Sequence, residues 1–121
     1  MTEAEQIDYL ANLYYVARLD GRVDMSEDTL AEKMAQGIGA GYLETRKAVD
    51  LSARSDYTLR IPPRFSDRVR NLEDMVQMAY YSDGLDADEK KTLIAYARDI
   101  GITQAQLDTV RREAKQRLRA S

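Results

Sequence analysis

Cysteine and histidine are both absent from this 121-residue sequence. Without cysteine there can be no disulfide, no thiolate zinc site and no thiol nucleophile, and the redox compartment stays open. Without histidine the commonest general base and the commonest transition-metal ligand are gone, which excludes a serine-hydrolase triad and an imidazole-zinc centre. Any metal would have to be hard and held by oxygen. Long apolar runs are missing too: no stretch approaches the ~20 residues needed to cross a bilayer. Residues 1–8 carry acids rather than the basic start of a signal peptide, so the expected location is cytoplasmic, with no direct membrane insertion. Positive charge is also short, and a net charge of −3 argues against nucleic acid, which needs a basic face to displace counterions.

What remains is 44% apolar and 32% charged, a mixture that can bury a core, and the length suits one domain over 1–121. Apolar residues recur at helical spacing. In the first helix Ile7, Leu10, Tyr14 and Ala17 share a face, leaving Glu3, Asp8 and Arg18 to water. Thr2 with Glu5 forms a capping box that starts it, and Asp20-Gly21 ends it. Asp24 with Glu27 opens a second helix through Leu30 and Met34, stopped by Gly37, Gly39 and Gly41. A third, from about Tyr42 to Arg54, is expected to bury Leu43, Ala48 and Val49. Residues 57–65 contain Pro62-Pro63, which cannot continue a helix, and form the linker.

Beyond the linker, Val69, Leu72, Val76, Ala79 and Tyr80 mark a fourth helix that stops at Asp83-Gly84. Asp86 with Glu89 repeats the cap and opens a fifth through Leu93, Tyr96, Ala97 and Ile100, closed by Gly101. Thr103 with Gln106 starts the last, which carries Leu107, Val110, Ala114 and Leu118 and is basic towards its end, complementing its own dipole. The fold class is therefore all-α, a bundle of five to six helices. Halves 1–56 and 66–121 also superpose as sequences: Leu13, Val16 and Asp20-Gly21 fall on Val76, Ala79 and Asp83-Gly84. With one residue missing, Asp24 and Glu27 fall on Asp86 and Glu89, and Ile38-Gly39 on Ile100-Gly101. Such a duplication predicts two helical hairpins packed about a pseudo-twofold axis.

The run Ala17-Arg18-Leu19-Asp20-Gly21-Arg22-Val23-Asp24-Met25-Ser26-Glu27 resembles the signature of TerB-like domains of the tellurite-resistance family. Tyr80-Tyr81-Ser82-Asp83-Gly84-Leu85-Asp86-Ala87-Asp88-Glu89 is similar to the same signature. The likeness extends to the N-terminal module of membrane-anchored J-domain cochaperones. It implies a non-enzymatic helical module in bacterial stress response, with acidic loops holding a divalent cation, calcium or magnesium, as the sole cofactor. Carried over, the ligands would be Asp20, Asp24 and Glu27 in the first half and Asp83, Asp86 and Glu89 in the second. The second loop is one residue shorter and has Asp88 where the first has Ser26, which makes it the first choice for an ion.

Carboxylates crowded by a tight turn repel one another, and a divalent cation relieves that repulsion if loop carbonyls and water complete its shell. These are not EF-hand loops, since Met25 and Asp88 stand where that loop requires glycine. The same residues read equally as helix caps, which leaves a plain protein-interaction scaffold as the rival function. A metal-dependent hydrolase would need a cleft of which the sequence gives no sign. In Tyr14-Tyr15 and in Tyr80-Tyr81 one ring should be core and the other exposed. Arg54, Arg60, Arg64, Arg68 and Arg70 around the linker form either a solvated face or a surface for phosphate or an acidic partner. The expected partner is a protein, a second copy of the chain included.

Overall fold

The computed structural model describes residues 1–19, 25–82 and 86–120; the side chains of 25, 26, 82 and 120 lie outside that description. Among the described residues there are six helices and no strand: α1 (Glu3–Arg18), α2 (Met25–Gly37), α3 (Tyr42–Ser52), α4 (Phe65–Ser82), α5 (Ala87–Asp99) and α6 (Gln104–Ala120). Three starts carry the reciprocal bonds of a capping box. Thr2 Oγ1 accepts from Glu5 N–H and the Glu5 carboxylate from Thr2 N–H, each at 3.1 Å. Asp86 with Glu89 and Thr103 with Gln106 repeat the exchange. The second helix of each half also ends alike. Gly39 and Gly101 take positive φ, 78° and 82°, and the next residue donates back across five positions, Ala40 to Ala35 at 2.9 Å and Ile102 to Ala97 at 2.8 Å. Only glycine makes that turn without strain.

The packing is centred on α1 and α4. The first lies against α2, α3 and α4, and the second also against α2, α5 and α6. An α1 covered from three directions cannot be the two-faced helix its periodicity suggests. Every residue from Tyr9 to Tyr14 is buried, with Val16 and Ala17, while Asp8 and Arg18 are half-buried rather than fully solvated. Asp8 meets Arg60 at 3.5 Å. Two asparagines are sealed in this core. Asn12 Nδ2 donates to Asn71 Oδ1 at 2.6 Å and to the Arg60 carbonyl at 2.7 Å. Its Oδ1 accepts from Tyr57 O–H at 2.6 Å and from Arg60 N–H at 2.9 Å. Asn71 Nδ2 in turn donates to the Tyr9 carbonyl at 3.2 Å. Nearby, the Tyr9 hydroxyl donates to Asp74, whose carboxyl burial pushes above the usual carboxylate range.

Leu43 corrects the expected core. It is 67% exposed, whereas Ala48 is fully buried. The inner face of α3 is the Ala48–Ser52 edge, and a residue five positions before Ala48 projects about 140° away from it. The interhelical stretch is wider than the linker proposed, since helix is absent from 53 to 64, and Tyr57 within it is buried. The arginines around it tie the segment down. Arg54 pairs with Asp56, Arg60 with Asp8, and Arg64 with Glu5 and Asp67. Arg68 Nε donates to the Pro62 carbonyl at 2.6 Å, and Arg70 to the Gly37 carbonyl at 3.0 Å. Those two guanidiniums satisfy backbone acceptors that proline and a helix end would otherwise leave open.

Candidate functional site

At the start of α5 the acidic residues from Asp86 onward are ordered by the cap. Asp86 Oδ1 accepts from Glu89 N–H at 2.8 Å and Glu89 Oε1 from Asp86 N–H at 3.3 Å. Asp86 and Asp88 are exposed. Glu89 is not, at 1% exposure, and Glu27 in the first turn of α2 is 2% exposed. Asp83 of the second half, and Asp20 and Asp24 of the first, lie outside the described residues. Among the described residues no three carboxylates converge as a metal-holding group.

The burial of the two glutamates goes beyond what capping needs. Glu5 occupies the corresponding place in the α1 box but is only half-buried. There the Thr2 backbone and side-chain bonds, and then the Arg64 guanidinium, hold its carboxyl below the ordinary value. Taking a carboxylate out of water is costly unless hydrogen bonds and an opposite charge replace its hydration. Glu27 and Glu89 stand at the same place in their respective halves, and both are buried.

No family model, curated protein or solved structure matches this chain. The likeness to TerB-like domains thus stands on residues 17–27 and 80–89. What the structure adds lies beside those turns. The Tyr14 hydroxyl donates to Asp28 Oδ1 at 3.1 Å, and burial, then Asp28, raises its pKa. Asp28, Glu32, Tyr42 and Arg46 line a depression of about 370 Å³ between α2 and α3. No short motif marks these residues; α2 supplies its two acids one helical turn apart, and α3 crosses them only in the fold. Neither tyrosine pair divides fully between core and surface, although in each the first ring is the more buried. Tyr14 is buried and Tyr15 half-buried against Tyr57, with ring centroids 5.3 Å apart, while Tyr80 is half-buried and Tyr81 is 40% exposed. No helix among the described residues is long and apolar enough to cross a membrane.

Proposed function

We propose that this chain is a non-enzymatic helical module whose acidic turns bind a divalent cation and whose outer face docks a protein partner, in the stress-response setting that the TerB resemblance implies. The observation that supports it is the paired burial of Glu27 and Glu89. Each is the last acid of a turn whose other members are Asp20 and Asp24, or Asp83, Asp86 and Asp88. A hard cation shared with such carboxylates offsets their repulsion, and calcium or magnesium suits an all-oxygen shell. For the partner, Tyr42 and Leu43 are 76% and 67% exposed at the start of α3. They adjoin the depression holding Asp28 and Glu32, a combination suited to a segment with an apolar anchor and a basic side chain.

The test is thermal unfolding of chelator-stripped protein titrated with calcium, magnesium and manganese at fixed ionic strength. A binding ion at about one hundred times its Kd adds about 2.7 kcal/mol, a rise on the order of 10 °C for a chain of this size. Glu89→Gln, which keeps a capping oxygen, should abolish that rise, as should Asp83→Asn. The second reading is a metal-free scaffold, favoured by the complete capping box of Asp86 and Glu89. If no ion moves the transition, the cation reading is dropped and the acids are caps.

A further inference from the structure

Arg111, Arg112 and Lys115 converge with Tyr80 and Asp108 on a depression of about 210 Å³ between α4 and α6. The basic end of α6 reads in sequence as a complement to the helix dipole, and Arg117 and Arg119 in the last turn fit that role. Residues 111, 112 and 115 lie in the middle of the helix, where the dipole has no terminus to offer them. Arg111 and Lys115 are four apart on one face and repel each other. The fold nevertheless holds both in place. Arg111 Nε donates to the Tyr80 hydroxyl at 3.1 Å, Arg111 Nη1 lies 3.6 Å from Asp108 Oδ1, and Lys115 Nζ stands 5.0 Å from the centre of the Tyr80 ring. Arg112 is exposed, and no ion pair involves it among the described residues.

We infer that this α4–α6 depression is an anion site that takes a phosphate-monoester dianion. Three cations against one carboxylate leave two positive charges, which matches a dianion. Asp108 does not close the site, because its pairing with Arg111 Nη1 leaves the other amino group of that guanidinium available. The Tyr80 oxygen already accepts from Arg111, so its own proton is oriented to donate. With Arg112 and Lys115 this makes four donors on one concave surface. Lys115 is pre-positioned over the Tyr80 ring and Arg111 by the Tyr80 hydroxyl and Asp108, which lowers the ordering cost of capturing the anion. Free phosphate esters and phosphomonoester lipid headgroups share this chemistry.

The experiment is an amide NMR titration of the full chain with inorganic phosphate, replaced by chloride at constant ionic strength so that screening is unchanged. Saturable shifts confined to residues about Tyr80 and 108–115 are expected. Arg112→Gln, an exposed change that leaves the fold intact, should weaken binding about tenfold, the effect of losing one charge-assisted bond. Tyr80→Phe keeps the ring under Lys115 but removes the hydroxyl and should weaken it less. Arg119→Gln, the same charge change on the same helix outside the depression, should alter it less than about twofold. A parallel arm uses phosphatidylcholine vesicles with and without phosphatidic acid. Binding to the phosphatidic acid vesicles alone, lost in Arg112→Gln, places the dianion on a lipid; binding of free phosphate places it on a soluble ester. Absence of saturation in both arms, or equal loss in Arg112→Gln and Arg119→Gln, overturns the site.

Discussion

Asn12 ties α1 to α4 and to the stretch between α3 and α4. Both its donor hydrogens and its oxygen are used, towards Asn71, Arg60 and Tyr57, at 0% exposure. Truncation takes a partner from the buried Tyr57 hydroxyl and Asn71 Oδ1, the latter keeping the Tyr96 hydroxyl at 3.4 Å, and from the Arg60 N–H and carbonyl nearer the surface; a buried group left unmet costs about 1–3 kcal/mol. Asn12→Ala is therefore expected to lower stability by about 3 kcal/mol after local relaxation, read as a shift of the urea midpoint at unchanged slope. A loss under about 1 kcal/mol would show that water fills the gap and that the network is not a constraint. None of this is legible in the sequence, where Asn12 sits among apolar residues as an unremarked polar position. Its partners lie 45 to 59 residues away. Arg68 and Arg70 were equally opaque: charge and clustering suggest a solvated or ligand-binding face, while their actual acceptors are carbonyls of Pro62, Pro63 and Gly37.

At the scale of the helix, the starts of α1, α5 and α6 and the ends of α2 and α5 are readable in the sequence because they depend on local chemistry, whereas Asp20-Gly21, Asp24 and Asp83-Gly84 lie outside the described residues. The boxes at Thr2, Asp86 and Thr103, and the glycine closures at Gly39 and Gly101, all stand where the spacing puts them. Which face each helix buries was less so, because periodicity describes one helix and burial is decided by its neighbours. Leu43 and the all-round burial of α1 are the two cases. The cap of α5 gives a further expectation. Asp86→Ala removes the acceptor for Glu89 N–H and should destabilise the ion-free protein by about 1 kcal/mol. Amide exchange should quicken first in the opening turn of α5, at Asp88 to Lys90, and leave α1 protected. Uniform acceleration along the chain would show that the box does not act locally. The candidate cation site was legible in part: the order of its acids is sequence, but the burial of Glu27 and Glu89 is a property of the assembled helices.

Over the whole molecule, α1 and α4 join the two ends of the chain into one core. Tyr9, Leu10 and Leu13 share it with Leu72, Met75 and Val76, and Asn12 reaches across to Asn71. Fragments 1–56 and 66–121 should each fail to give dispersed amide NMR spectra, while the full chain unfolds in a single cooperative transition by circular dichroism and tyrosine fluorescence. A folded fragment would mean that the halves are autonomous and merely dock. The burial of α1 also has a consequence in time. A ribosome adds roughly 5–20 residues per second, and residues 19–64 separate this helix from the start of α4, one of the three that cover it. For some seconds of synthesis, the side of α1 that α4 will cover waits outside the exit tunnel with α4 not yet made, a window in which a chaperone has its best access to the chain.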